Sequence, residues 1–229
     1  QGHDIITFWL FNTVVKSRMH NKVNPWKDVV ISGHALDPHG KKMSKSLGNV
    51  VDPKEVLAKY SADCLRFWAA GCKLGDDLPY QEKDLVTGQK FITKLWNASR
   101  FVFMHIEKYN PEKEKLGLMD LWLLSKLNRL IMNCTQSFDK YEYMRTKIDT
   151  EKFFWQTFCG NYLEIVKHKL YNPDGNEDTA KYCLYFGLLD VLKLVAPIMP
   201  HITEEIYHTY YSKKEGKKSI HLSDWPKSD

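Results

Sequence analysis

The chain has 229 residues, 43% hydrophobic and 27% charged, and its 33 Lys and Arg outnumber its 28 Asp and Glu. Such a composition fits one large folded domain or two small ones and excludes a disordered chain. No apolar run approaches the length of a bilayer span, the opening residues do not read as a signal peptide, and the positive balance leans toward a polyanionic partner.

In chain order, residues 4–9 mix β-branched and aromatic side chains and are expected to be extended. The pattern then lengthens to helical spacing through Leu10, Phe11, Val14 and Val15 and turns basic, until Asn24-Pro25 breaks it. Residues 28–33 form a β-branched run ending in glycine, the signature of a buried strand. Asp37-Pro38-His39-Gly40 is a turn. A short helix is expected from Lys54 to Tyr60 behind Pro53, and another begins at Ala62. Residues 73–79 read as a loop. Four long amphipathic stretches follow near 82–108, 119–140, 142–171 and 177–196, with apolar residues at three- and four-residue spacing. Asn110-Pro111 and Asn172-Pro173 punctuate them, and Pro197 and Pro200 lead into a fifth helix, 201–211. Residues 213–218 are a basic loop, expected to be solvated, and 219–222 a candidate closing strand. The fold class is therefore an α/β remnant, the tail of a parallel sheet, followed by a mostly α-helical bundle.

Five cysteines (Cys64, Cys72, Cys134, Cys159, Cys183) are scattered, with no Cys-x-x-Cys pair. They read as reduced thiols in a cytoplasmic protein and not as a disulfide frame or a metal site.

The most specific segment is Lys42-Met43-Ser44-Lys45-Ser46, between Gly40 and Gly48. Lysine is a compact cation whose donors can follow moving phosphate oxygens, and flanking glycines let such a loop close. A generic Lys-x-x-Lys is most often a solvated turn, but this pentapeptide arises by chance in a chain of this length only roughly once in ten thousand.

Together with Gly2-His3-Asp4, Ala62-Asp63-Cys64-Leu65-Arg66 and residues 197–207, the pentapeptide makes the chain resemble the class Ia aminoacyl-tRNA synthetases. Residues 33–37, 74–79 and 94–101 resemble the valyl-tRNA synthetases in particular. The resemblance implies three regions. Residues 1–50 would be the C-terminal part of a Rossmann-type catalytic domain, 51–80 a connecting region that contacts the tRNA stem, and 81–229 a helical anticodon-binding domain. It further implies ATP-dependent activation of valine, with Mg2+ accompanying ATP, and transfer to tRNA-Val.

In such a reaction charge builds on departing pyrophosphate, and cations placed there lower the barrier. The resemblance puts Lys42 and Lys45 in that role, Lys45 foremost, with Ser44 assisting. It puts Gly2, Asp4 and His34 at the nucleotide: Asp4 on the ribose hydroxyls, Gly2 beside the backbone approach, His34 near the adenine. Ile5 and Trp9 would wall the amino-acid pocket, and Asn97, Arg100 and Phe101 would face the tRNA.

The family's His-x-Gly-His signature has no counterpart in these residues, nor does its editing domain, and the chain opens Gln1-Gly2-His3-Asp4 without an initiator methionine. It is thus expected to be part of a larger synthetase, inactive alone and dependent on an N-terminal half. Three alternatives stay open: a non-catalytic tRNA-binding fragment or split subunit, a portion of an isoleucyl- or leucyl-tRNA synthetase, and a helical scaffold whose lysine loop is decorative.

Overall fold

The computed structural model describes residues 2–112, 116–172 and 177–228. Gln1 and Pro173 lie outside the described residues.

The opening segment is helical, not extended. His3–Ile5 is a 3-10 turn, Ile6–Leu10 a π-helical turn, and Phe11–Asn21 an α-helix, α1. Residues 4–9 contain adjacent apolar pairs (Ile5-Ile6, Phe8-Trp9) in place of a period of two, so one helical face accommodates them as well as a strand would. Asp4 therefore sits in a turn just beyond the end of a strand-like contact, the parallel bridge of Gly2 with Ser32. Helix α1 stops as expected before Asn24-Pro25, with Lys22 in the left-handed conformation at φ 60° and its N–H donated to the Arg18 carbonyl.

Residues 28–33 do not form a strand ladder either. Val29 and Val30 are each 42% exposed, and the Gly2–Ser32 bridge is the one pairing within this run among the described residues. A β-branched run becomes a strand only where a neighbour offers an edge. Here the edge begins later: Ala35–Leu36 (β1) pairs in parallel with Leu78–Pro79 (β2), inside the stretch expected to be loop. The His34 carbonyl accepts Leu78 N–H (2.8 Å) and the Leu36 carbonyl accepts Tyr80 N–H (2.9 Å).

Helices α2 (Pro53–Lys59) and α3 (Ala62–Ala69) start where the sequence indicates, capped by Asp52 and Ser61, whose side chains accept Lys54 N–H and Cys64 N–H. Val56, Cys64, Trp68 and Leu85 form a small core that fastens this region to the long helix α4 (Glu82–Ile106).

The bundle continues with α5 (Leu118–Asp139), α6 (Tyr143–Lys152), a π-helix (Phe153–Tyr162), α7 (Leu163–Tyr171), α8 (Glu177–Val195) and α9 (Pro200–Glu215). Helix α8 runs through its middle, with Cys183, Leu184, Leu188, Val191 and Leu192 all at 0% exposure. Each such aliphatic side chain contributes about 1.5–3 kcal/mol relative to exposure. The expected single helix over 142–171 is two α-helices joined by a π-helix. Its buried residues Phe153, Phe154, Phe158 and Cys159 recur at a spacing of five, which a 3.6-residue turn cannot keep on one side.

Helix α3 reaches across to the α8–α9 joint. The buried Asp63 carboxylate accepts Ile202 N–H (2.7 Å) and His201 N–H (3.3 Å) and pairs with His201 Nδ1 (2.9 Å), so it caps α9. One turn on, Arg66 donates to the Ile198 and Pro197 carbonyls at 2.9 and 2.8 Å.

Two further expectations are corrected at the end of the chain. The basic run at 213–218 is not wholly loop: Lys213 and Lys214 complete α9, and Gly216 terminates it at φ 66°. Lys214 is also tied down, donating to the Tyr109 carbonyl (2.6 Å) and Asn110 Oδ1 (2.8 Å). The candidate closing strand is a 3-10 turn, Ile220–Leu222, because Glu204 Oε2 accepts both Ser219 Oγ and Ile220 N–H at 2.9 Å and curls the chain around itself.

Candidate functional site

The lysine loop is braced from within by a residue that the sequence reading passed over as part of a turn. Asp37 is 4% exposed. Its Oδ1 accepts His39 N–H (2.9 Å) and Lys41 N–H (2.8 Å), and its Oδ2 accepts the Asn49 amide (2.9 Å). Asn49 in turn accepts Ser44 N–H at 2.9 Å and donates to the Lys42 carbonyl at 3.2 Å, which closes the loop's two ends on each other. These donors, Lys41 N–H first and Asn49 second, hold the Asp37 carboxyl below the usual carboxylate range. The signal in the sequence was the Asp-Pro-x-Gly turn, in which an aspartate commonly accepts backbone N–H groups ahead of it. Gly40 and Gly48 adopt φ 76° and 66°, so the flanking glycines do use the left-handed region.

Four of the nucleotide-side residues come together. Lys42 Nζ donates to Asp4 Oδ2 at 3.1 Å, and His34 Nε2 lies 3.8 Å from Asp4 Oδ1. A Cβ on Gly2 would sit 3.0 Å from Asp4 Oδ1 and 3.2 Å from His34 Cε1, so the backbone here is in close contact with both side chains. The Lys42 hydrogen bond is the main cause that lowers the Asp4 pKa from its ordinary value. Both partners are well exposed, at 63% and 46%, and an exposed pair of this kind is readily exchanged for another.

The cluster is held in register by the 73–79 segment. His34 N–H donates to Asp77 Oδ1 at 2.7 Å. A Cβ on Gly33 would fall 1.9 Å from the Asp76 carbonyl oxygen, so only glycine permits this approach. Segments 33–37 and 74–79, which carried the resemblance separately, are thus one packed unit.

Ser44 and Ser46 hydroxyls hydrogen-bond at 2.7 Å. Lys45 opens the 3-10 turn Lys45–Leu47, is exposed, and has no ion-pair partner among the described residues. Ile5 is half-buried in the turn that carries Asp4, whereas Trp9 is 46% exposed and stacks on Trp26 with ring centroids 5.5 Å apart. On α4, Asn97 and Arg100 are exposed. Phe101 is partly buried at the rim of the main core, its ring 4.8 Å from that of His105.

Comparison with known proteins bears on both halves. Residues 1–81 match the family described as tRNA synthetases class I (I, L, M and V), and residues 120–229 match the anticodon-binding domain of tRNA ligase. The chain is 44% identical over its whole length to the valine–tRNA ligase of Haloarcula marismortui, covering 25% of that protein. It is 42% identical to the Pyrococcus furiosus enzyme over 99% of the chain and 26% of the relative, and 41% identical to that of Rickettsia prowazekii over 97% and 28%. The chain therefore spans about a quarter of the length of the curated relatives it matches. Among solved structures, the Agrobacterium radiobacter K84 agnB2 LeuRS–tRNA–LeuAMS ternary complex superposes with a TM-score of 0.74 at 20% identity, over 100% of this chain and 28% of that one. That likeness bears on the fold alone, a sheet remnant leading into a helical bundle. A class I segment at one end, an anticodon-binding segment at the other and similarity along the whole length to valine–tRNA ligases make the chain similar to part of a class I aminoacyl-tRNA synthetase of the valine–tRNA ligase kind.

Proposed function

We propose that this chain supplies the phosphate-handling loop and the tRNA-binding bundle of a cytoplasmic valine–tRNA ligase. Residues 1–50 act as part of the catalytic domain, 51–80 as the connection and 81–229 as the anticodon-binding domain. The observation that carries the reading is the convergence of Gly2, Asp4, His34 and Lys42 from two separate stretches onto one polar cluster beside a loop braced by Asp37 and Asn49.

In this reading Asp4 accepts hydrogen bonds from the ribose hydroxyls of ATP, and His34 lies beside the base. Lys42 is released from Asp4 when the nucleotide arrives and moves onto its phosphates. Lys42 and Lys45 then meet the charge that develops on pyrophosphate, with Ser44 as a further donor. Mg2+ carried on the phosphates of ATP would supply additional positive charge there, beside Lys42 and Lys45. Ile5 and Trp9 wall the valine pocket, and Asn97, Arg100 and Phe101 face tRNA-Val through cationic and aromatic contacts.

A second reading, a tRNA-binding module without catalysis of its own, is supported by the match of residues 120–229 to the anticodon-binding domain of tRNA ligase. Both readings are tested together. The chain alone is expected to give no valine-dependent ATP–pyrophosphate exchange and to bind tRNA-Val more tightly than other tRNAs, a preference lost when the anticodon is changed. Adding a chain that carries the rest of the relatives' length restores exchange if the catalytic reading holds, and Lys45→Ala then removes it. Restored exchange that is indifferent to Lys42 and Lys45 sinks the proposed roles.

A further inference from the structure

The parallel pairing of β1 and β2 ends in an exchange of acceptors. With Ala35 opposite Leu78, the evenly spaced pattern of a parallel ladder would next carry His34 N–H to the Asp76 carbonyl. That carbonyl is already occupied: the Cys72 thiol donates to it at 2.9 Å, with a longer contact of 3.3 Å to the Lys73 carbonyl. His34 N–H goes instead to the Asp77 carboxylate, whose Oδ1 lies at 2.7 Å. A tight turn makes this possible, with Asp76 N–H donated to the Lys73 carbonyl (3.1 Å) and Gly75 at φ 85°. Burial first, and then the neighbouring Asp76 and Asp77, push the Cys72 pKa up, so the group keeps the proton it donates. Asp77 has no ion-pair partner among the described residues, which leaves its carboxylate to this backbone bond. The turn itself is fixed to α3, because Cys72 follows that helix closely and Trp68 Nε1 donates to the Pro79 carbonyl at 3.3 Å.

We propose that Asp77 is a positioning residue for the nucleotide, holding His34 beside Asp4 through the His34 N–H, and that Cys72 assigns it this role by occupying the Asp76 carbonyl. No residue from 2 to 36 is buried, so apolar packing does not fix the nucleotide-side cluster and its polar contacts must. A carboxylate makes a shorter and stronger bond to an N–H than the neutral carbonyl it replaces. The bond falls on the backbone of His34, whose Nε2 stands 3.8 Å from Asp4 Oδ1, and Asp4 in turn holds Lys42. The proposal rests on the nucleotide-binding reading above and adds to it two residues from outside the first fifty.

The test is valine-dependent ATP–pyrophosphate exchange by this chain joined with a chain that carries the rest of the relatives' length. Asp77→Ala strips the His34 amide of its acceptor, and KM for ATP is expected to rise about tenfold while kcat stays within about threefold. KM for valine is expected to stay within about twofold, because Ile5 and Trp9 belong to a stretch that Asp77 does not touch. Asp77→Asn keeps a carbonyl oxygen in place and should return KM for ATP to within about threefold of the parent. Cys72→Ala frees the Asp76 carbonyl as a substitute acceptor, so adding it to Asp77→Ala is expected to lower KM for ATP by about threefold. Cys72→Ser keeps a donor and should bring no such relief. An unchanged KM for ATP in Asp77→Ala, in an enzyme that Lys45→Ala inactivates, leaves the functional reading standing and overturns the proposal. An equal rise in KM for valine would mean general loosening and overturns it as well, as would strict additivity of Cys72→Ala and Asp77→Ala. Exchange indifferent to Lys42 and Lys45 removes the reading beneath, and the proposal with it. Should Asp77→Ala fail to fold, amide hydrogen exchange of the parent chain decides. His34 N–H is expected to exchange at least about tenfold more slowly than an unprotected amide, and exchange at the unprotected rate refutes the bond.

Discussion

At the scale of single residues, the bundle's most demanding group is Asp120. Its side chain is fully buried, yet it accepts Lys169 Nζ (2.8 Å), the Tyr162 hydroxyl (2.8 Å) and Gly117 N–H (3.1 Å). Burial alone would push its pKa up; Lys169 and Tyr162 outweigh that and hold it below the ordinary value. Because the folded pKa is depressed, the stability this carboxylate adds is fully present above the ordinary carboxylate range, near pH 4, and is lost only as pH falls further. Lys169→Met strips the buried charge of its cation. The usual cost is 3–5 kcal/mol, and since Lys169 is 26% exposed water softens the loss, so about 3 kcal/mol is expected in a urea melt at pH 7. The variant's deficit should shrink as pH is lowered toward 4 and Asp120 takes up a proton; a deficit that stays constant with pH removes the charge argument. The long-range part of this network was not legible beforehand, because Tyr162 and Lys169 lie 42 and 49 residues from Asp120. Asp37, by contrast, was legible in kind from its turn motif, and only its partner Asn49 needed the structure.

Among the elements, the helices with clean three-and-four spacing were read to within a few residues: 82–108 against Glu82–Ile106, 119–140 against Leu118–Asp139, 177–196 against Glu177–Val195. The failures share one cause. Short apolar runs such as 4–9, 28–33 and 219–222 take the form that their neighbours allow, and no spacing inside them identifies those neighbours. The π-helix is different, since its five-residue repeat is written in the sequence but looks helical to a search tuned to 3.6. That repeat also governs what α8 can carry opposite it. A Cβ on Gly187 would stand 2.8 Å from Cε2 of Phe158, a ring with no exposure. Gly→Ala in a helix interior ordinarily stabilises by about 1 kcal/mol. Here overpacking of about 1–3 kcal/mol opposes it, and Gly187→Ala is expected to be destabilising by about 1 kcal/mol net. Combining it with Phe158→Leu, which shortens the facing side chain, should make the two changes non-additive, the pair costing less than their sum in urea melts. Strict additivity would show that the ring is not the obstacle.

For the molecule as a whole, stability is unevenly distributed, and the boundary falls beside the lysine loop. No residue from 2 to 36 is buried, and Phe8, Phe11, Met19 and Val23 are all more than half exposed. The buried apolar residues begin at Val56 and crowd into the bundle. The nucleotide-side cluster is consequently held to the rest through a narrow attachment: two β1–β2 residues, the His34–Asp77 hydrogen bond and the Gly33–Asp76 approach. Such a segment should open locally at far smaller free energy than the bundle unfolds. Trypsin under native conditions is therefore expected to cut first at Arg18, Lys22 or Lys27 and to leave the bundle intact. Gly33→Ala sharpens the point, because its Cβ collides with backbone that cannot yield, 1.9 Å from the Asp76 oxygen. The substitution should speed cleavage in residues 2–50 several-fold while leaving the bundle's thermal midpoint within about 2 °C, since that midpoint reports the helical core. A fall in the midpoint as large as the gain in cleavage would mean that the two regions unfold as one.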